Sequence, residues 1–371
     1  IMKKNILHII VGLGNGGAEN TLFKLTKSLK KKYNFSILVL GKQNSIEWKF
    51  KESNIKLIKL DLKNKFFIFF ELYKIYKIIQ KINPDLIQSW MYHSDFIASV
   101  IGKFFLKKKV VWCIRHSNLK LFKSKITTII LAKLCAILSN KLTDEIIYSS
   151  KESEKYHKII GYDKLKGIAV FNGYDPKKLS YINFKKRNKI HLGFLANYRP
   201  QKDFKTFLEA LSIIKKKNVL FKCYMAGQNV NIRNKELKIL INYFDLNNDI
   251  ILMGELSNTK IFFKKIDFLV SSSCFGESFP NVLAESMLQG IPCISTEVGY
   301  AKKIINKLGW TCVISRSDKL AQNIIKAIKL KEVNINQYKR LKMNVRASII
   351  NRFHIDIMSK KYSLLWQKVI N

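Results

Sequence analysis

The sequence predicts an α/β protein built as two doubly wound, parallel-sheet domains. Three observations carry that expectation. Short apolar runs of strand length alternate with longer segments of helical period, the pattern of a parallel sheet covered on both faces. The alternation stops at a polar, basic stretch from Lys177 to Lys189 and then restarts. A length of 371 residues suits two domains, and 47% hydrophobic against 25% charged residues gives each enough apolar material for a core.

The first strand is Lys4–Val11. It is entered through Lys3 and Lys4 as a signal peptide would be, but it runs into Gly12-Leu13-Gly14-Asn15-Gly16-Gly17 with no small-residue cleavage site, so it reads as a buried strand. Ala18–Lys30 has helical period. Phe35–Leu40 and Ile55–Leu60 are the next strands, and Phe69–Ile82 is a helix broken by Asn83-Pro84-Asp85. Leu86–Ser89, Val110–Ile114 and Ile146–Ser149 complete the first set. The apolar stretches Phe66–Ile79 and Ile126–Leu138 contain Glu71, Lys74, Lys77 and Lys133, and both fall short of the roughly 20 apolar residues of a spanning helix. Each reads as a core-facing helix or as an interfacial helix with aromatic and Lys side chains at a membrane surface.

The first unit ends around Val170-Phe171-Asn172-Gly173-Tyr174-Asp175-Pro176. Strands then recur at Ile190–Ala196, Phe221–Ala226, Ile250–Met253, Phe268–Ser271 and Cys293–Ser295. Helices are expected over Phe204–Lys216, Lys235–Phe244 and Asn281–Gln289. Ligands of such sheets bind at the carboxyl ends of the strands, and two domains facing across a deep cleft suit a ligand with two ends.

The net charge of +41 invites a nucleic-acid reading, but only 8 of the 67 basic residues are Arg, the side chain suited to bidentate phosphate and base contacts. The charge is also spread evenly, +21 over residues 1–180 and +20 beyond. No nucleic-acid partner is expected, and an anionic membrane surface is the better match for distributed Lys. Six widely spaced cysteines without C-x-x-C argue against a disulfide framework or zinc ribbon and for a reducing cytoplasm.

Three loops carry chemistry. Ser271 to Glu285 leaves a strand and enters a helix, with Pro280 suited to the first helical turn and Gly290 and Pro292 closing it. The N–H groups around Phe279, Pro280, Asn281 and Val282 then make an anion site. Glu277 and Glu285 are eight residues apart, about 12 Å if both were helical, which is long for a glycosidase acid and base but suits two hooks along one ligand. A nucleotide-sugar has that layout. In the second loop, Arg199 and Lys202 can neutralise a diphosphate leaving group. The third, Gly12 to Glu19, matches G-x-G-x-x-G, yet Leu38-Val39-Leu40-Gly41-Lys42 lacks the ribose-binding acid of a nicotinamide site. His93 and Arg115-His116 follow strands. No D-x-D, H-E-x-x-H or G-x-x-x-x-G-K-[ST] is present, so neither a bound metal nor a cofactor is expected.

These residues resemble the retaining glycosyltransferases of family 4, with a GT-B fold, and the resemblance covers nearly the whole chain. Its motifs are Gly16-Gly17-Ala18-Glu19, Pro84-Asp85-Leu86-Ile87 with His93, Asn172-Gly173-Tyr174-Asp175, Arg199-x-x-Lys202, and Glu277-x7-Glu285 with Phe279-Pro280-Asn281. The resemblance implies two Rossmann-like domains. Residues 1–175 would take the acceptor, 176–189 link, 190–355 hold the donor, and 356–371 form a helix packing back on the first domain. Glu285 would bond the ribose and Glu277 the transferred sugar. Arg199 and Lys202 would grip the diphosphate, Gly16 and Gly17 would let the loop approach the donor, and His93 would sit by the reacting sugar. Transfer would retain configuration by front-face attack without a metal.

Two departures stand out. Gly299-Tyr300-Ala301-Lys302-Lys303-Ile304 lacks the acid many members carry there, and Asp203 replaces the glycine after Arg-x-x-Lys. Trp90-Met91-Tyr92-His93 and Ile114-Arg115-His116-Ser117 resemble bacterial members acting on O-antigen, capsule or exopolysaccharide precursors. The expected activity is transfer of a hexose or N-acetylhexosamine from a nucleotide-sugar, UDP-linked, to a lipid-linked glycan at the inner membrane face, by a cytoplasmic, peripheral enzyme. The alternatives are a GT-B-fold sugar-nucleotide epimerase and an inactive basic scaffold.

Overall fold

The computed structural model describes residues 2–14, 16–42, 44–60, 68–117, 119 and 126–371. Asn15 of the glycine loop and the start of the Phe66–Ile79 run lie outside the described residues. The chain divides into two compact units, Ile1–Gly173 with Ile355–Asn371, and Tyr174–His354.

The first unit runs β1 (Lys4–Ile10), α1 (Gly17–Leu29), β2 (Tyr33–Val39), α2 (Glu47–Glu52), β3 (Lys56–Lys59), α3 (Ile68–Ile82), β4 (Leu86–Trp90) and α4 (Tyr92–Ile97). α4 continues as a π-helix, Ala98–Phe105, and is followed by β5 (Lys109–Ile114), α5 (Ile126–Leu142), β6 (Glu145–Tyr148), α6 (Lys151–Ile159) and β7 (Ile168–Ala169). All neighbouring strands are parallel, in the order β3-β2-β1-β4-β5-β6-β7, with Ile6 registered between Phe35 and Leu86. Every residue of β4 is buried, as a strand covered on both faces requires. On one face α1 packs with the C-terminal helix, Ile355–Ile370, whose Tyr362 and Trp366 join Ile6, Leu22 and Leu25 in one core. Trp366 Nε1 donates to Gln88 Oε1 at 2.7 Å. On the other face α3, the π-helix and α5 bury Ile75, Ile101 and Ala132 against Ile87 and Trp112.

The second unit runs β8 (Ile190–Leu195), a 3-10 turn (Pro200–Lys202), α7 (Phe204–Lys216), β9 (Phe221–Ala226), α8 (Lys235–Tyr243), β10 (Ile250–Leu252) and α9 (Lys260–Phe263). Then follow β11 (Phe268–Ser271), α10 (Asn281–Leu288), β12 (Cys293–Thr296), α11 (Ala301–Ile305), β13 (Trp310–Cys312), α12 (Ser317–Val333) and α13 (Ile335–Phe353). Its sheet is also parallel throughout, in the order β10-β9-β8-β11-β12-β13. Counted from its own first strand, that is the 3-2-1-4-5-6 order of the first six strands of the first unit, which adds β7 at its edge, and each is a Rossmann-like sheet. The ligand-binding switch point therefore lies outside the ends of β1 and β4 in one unit and of β8 and β11 in the other.

Candidate functional site

In the second unit the loops leaving β8 and β11 are stitched to each other at the switch point. Ser272 Oγ donates to the backbone oxygens of Lys202 and Asp203 at 2.8 and 2.9 Å, and the Cys274 N–H donates to Gln201 O at 2.9 Å. Lys202 Nζ donates to the Glu277 carboxylate, joining the basic loop to the acidic one, with side-chain exposures of 21% and 17%. Arg199 is exposed in extended backbone at the start of the 3-10 turn. Asp203 stands where the resemblance leads one to expect glycine, and its φ of +48° explains the position. It tolerates the left-handed region because its carboxylate bonds locally, accepting from the Thr206 N–H at 3.2 Å and Thr206 Oγ1 at 2.8 Å to cap α7.

The Glu277 segment is held from below by Gly299. A Cβ on Gly299, whose φ is +53°, would lie 1.8 Å from the Glu277 carbonyl oxygen. The next residue, Tyr300, donates its N–H to Ser278 O at 3.0 Å and stacks on the buried Phe279 ring at 6.0 Å. Tyr174 stacks on Phe279 at 6.4 Å, Phe353 meets it edge-on at 5.2 Å, and Tyr174 OH donates to Asn281 Oδ1 at 2.5 Å. Phe279 is thus a packing anchor whose three aromatic neighbours fix where α10 begins.

Pro280 is the N-cap of α10 rather than its first helical residue, with ψ of 96°, and its carbonyl accepts from the Leu283 N–H at 3.1 Å. The N–H groups of Asn281 and Val282 stand in the first turn of α10, at the positive end of the helix dipole. The helix starts four residues after Glu277, and Gly276 before it has φ of +76°, so the helical spacing considered for Glu277 and Glu285 does not apply. Only Glu285, half-buried, is on the helix.

The remaining expected residues lie in the first unit. Gly17 opens α1, and Gly16 is its N-cap, with the Glu19 carboxylate folded back over it. His93 is exposed on α4 just beyond β4. The chain turns out of β4 at Met91, a non-glycine residue with φ of +73°. Such strain costs of order 1–3 kcal/mol and clusters at functional sites. Nearby, Arg115 Nη2 donates to Thr21 Oγ1 at 3.3 Å and to Asn172 Oδ1, and the guanidinium lies 5.9 Å from the Trp90 ring. His116 stacks flat on Tyr92 at 6.1 Å. Asp95 is buried behind this segment with Ser89 Oγ donating to it at 2.6 Å, and burial pushes its carboxyl up to about 7. The sequence reading missed three of these contributions. In the sequence Gly299 stands out for a missing acid and not for a missing Cβ, Tyr174 is only part of a junction motif, and Met91 carries no signal in its residue type.

Residues 189–329 match the family model of glycosyl transferases group 1. The second unit carries a glycosyltransferase domain. Arg199, Lys202, Glu277 and Glu285 all lie within the domain. A curated relative, an uncharacterized glycosyltransferase of Methanocaldococcus jannaschii, is 27% identical over 61% of this chain and 58% of its own length. The match therefore spans under two thirds of that relative. Among solved structures, a glycosyltransferase from Rickettsia africae ESF-5 superposes with a TM-score of 0.83 at 20% identity, covering 100% of both chains. HepE of Anabaena, in complex with UDP-glucose, gives a TM-score of 0.83 at 16% identity, covering 98% of this chain and 100% of that one. At these identities the likeness establishes the fold, and the glycosyltransferase domain and its companion unit have the GT-B architecture.

Proposed function

We propose that the chain is a retaining, metal-independent family 4 glycosyltransferase. It moves a hexose or N-acetylhexosamine from a UDP-sugar to a lipid-linked glycan, in O-antigen, capsule or exopolysaccharide synthesis, while seated on an anionic membrane surface. One observation carries the donor half of this reading. Lys202 and Glu277 meet across the switch point, in the loops that lead into α7 and α10, so a cation and a carboxylate converge where such sheets bind ligands, ahead of the positive end of a helix dipole. The UDP-glucose complex of HepE supports the choice of nucleotide.

In this reading Glu285 accepts hydrogen bonds from the ribose, Arg199 and the Asn281 and Val282 N–H groups hold the diphosphate, and Glu277 holds hydroxyls of the sugar. Lys202, already on Glu277, shares its charge with the diphosphate once the donor binds. The anomeric carbon–oxygen bond to phosphate breaks as the bond to the acceptor hydroxyl forms on the same face. The hydroxyl proton passes to the departing phosphate oxygen, whose growing charge Lys202 and Arg199 stabilise. His93 lines the sugar end.

Calorimetric titration with UDP, GDP and ADP, with and without EDTA, tests the reading on the chain and on Glu285→Ala. UDP should bind selectively and regardless of EDTA, about tenfold or more weaker in the variant, which loses hydrogen bonds to a charged group. Failure of every nucleotide to bind the folded protein would overturn the assignment.

A further inference from the structure

The helix α5 is apolar on its outward side as well as its inward one. Its buried residues are the small Ala132, Cys135, Ala136 and Ser139. Leu131 and Leu138 pack against the same core, but four further large aliphatic side chains point to solvent: Ile126 and Ile137 are 73% and 76% exposed, and Ile130 and Leu134 lie between them, 54% and 42% exposed. At 100° per residue these four fall within one narrow stripe, about 16 Å long at 1.5 Å per residue. A helix whose only task was to cover the sheet would carry polar residues along that stripe.

The stripe has company. The π-helix packs between α3 and α5 on the same face of the sheet, and it exposes Phe104 and Phe105. α3 exposes Phe70 and Tyr73 on that side. Lysines are interleaved: Lys107 lies 5.3 Å from the Phe104 ring and Lys77 5.6 Å from Tyr73, while Lys133 and Lys141 flank the α5 stripe. Across α3, the π-helix and α5 the single acidic residue is Glu71, which pairs with Lys74. No helix among the described residues is long and apolar enough to cross a membrane.

We infer that this outward face of α3, the π-helix and α5 is the seat on which the protein rests against an anionic lipid bilayer. The inference rests on the membrane part of the proposed function and locates it. Aliphatic and aromatic side chains of this size enter the acyl boundary, and Lys heads reach anionic headgroups beside them. A second copy of the chain is a poorer occupant, because twofold pairing would set the same lysines against one another. The seat places the acceptor unit at the surface where a lipid-linked glycan is presented.

Flotation of the full chain with phosphatidylcholine vesicles, and with vesicles also containing phosphatidylglycerol, tests this at low and high salt. Two variants accompany it: Ile130→Glu/Ile137→Glu, which blocks the stripe, and Lys133→Glu/Lys141→Glu, which reverses charge beside the stripe and leaves its aliphatic side chains in place. Circular dichroism checks that each is folded. The wild type should float only with the anionic vesicles, and salt should weaken it. Each variant should partition about tenfold less. Equal flotation of wild type and both variants would remove the seat from this face while leaving the membrane reading standing. No flotation of the wild type would sink both. A wild-type dimer that Ile130→Glu/Ile137→Glu converts to monomer in sedimentation would assign the face to a second copy and overturn the inference.

Discussion

The two units share a strand order and place different chemistry at the same two positions. After its first strand, the first unit has the uncharged glycine loop ending at Gly16, whereas the second has Arg199 and Lys202. After its fourth strand, the first has strained Met91 and exposed His93, whereas the second has Glu277. The units also bury charge differently. The second pairs its buried Asp267 with Lys331 at 2.8 Å and Arg187 at 2.7 Å, while the first buries His8, Asp95 and His157 with no oppositely charged partner among the described residues. One topology supplies the positions, and the side chains decide whether a position presents charge or turns the chain. The second unit should therefore break through its loop geometry and the first through pH.

The largest effect is expected at Gly299. In Gly299→Ala the new methyl would meet the Glu277 carbonyl at 1.8 Å on a backbone with φ of +53°. The Glu277 segment must move, costing about 3 kcal/mol of stability and about 10³-fold in kcat, because both strain and misplacement of a charged group add. Chemical denaturation and donor turnover measure the two. A variant with unchanged kcat would show that Glu277 is not held by this contact.

In the first unit, burial holds His8 down to about 3 and His157 to about 4, and raises Asp95 to about 7. The two kinds of shift act with opposite sign. Unfolded histidine gains a proton below its ordinary 6.5 while the buried rings do not, so their stabilisation is present above 6.5 and lost as pH falls toward 3 and 4. Asp95 keeps its proton in the folded state up to about 7, so its contribution is full below its ordinary 3.8 and is lost as pH rises through 7. Between about pH 4 and 6.5 they oppose each other. Asp95→Asn should steepen the acid loss of stability, and His8→Gln, which keeps an acceptor for Trp90 Nε1, should flatten it. Each changes the slope by about 1.4 kcal/mol per pH unit, up to about 3 kcal/mol across the window. Denaturation at several pH values reads the slopes directly. Identical slopes in all three proteins would show these groups to be hydrated in solution.

Lys202→Met comes next. It keeps the stem and removes the charge that joins the two loops. A drop of about 10²-fold in kcat is expected, with little change in melting, since the pair is partly exposed. A loss confined to stability would reduce the pair to a structural tie.

Much of this was legible beforehand because buried parallel strands are unbroken apolar runs. Phe221–Ala226 and Phe204–Lys216 begin and end in the structure where the pattern places them. The two long helices α12 and α13 carry a weaker signal. α13 buries Tyr338, Val345, Ile349 and Phe353 but also Lys342, whose amine donates to Gly290 O at 2.7 Å, and a charged residue at a core position erases the apolar period. The candidate site residues are legible as types at a spacing. Their pairing is not, because Lys202 and Glu277 meet only through the adjacency of β8 and β11, and the Cβ vacancy at Gly299 has meaning only against a carbonyl 22 positions earlier.

The smallest effect sharpens the comparison most. Gly16 and Gly299 are both loop glycines in the sequence, and only Gly16 is expected to let its loop approach the donor. Its backbone, however, is ordinary extended chain at φ of −96° and ψ of 177°, open to any residue. A Cβ there would come within 2.5 Å of Glu19 Oε2, the far end of a flexible side chain that can swing away. Gly16→Ala should therefore leave stability within about 0.5 kcal/mol, or raise it by narrowing the unfolded ensemble. If the glycine serves close approach of the donor, KM should rise a few-fold with melting unchanged. A strongly destabilised Gly16→Ala would mean that both glycines hold loop geometry, and the contrast drawn between the units would fail at that position.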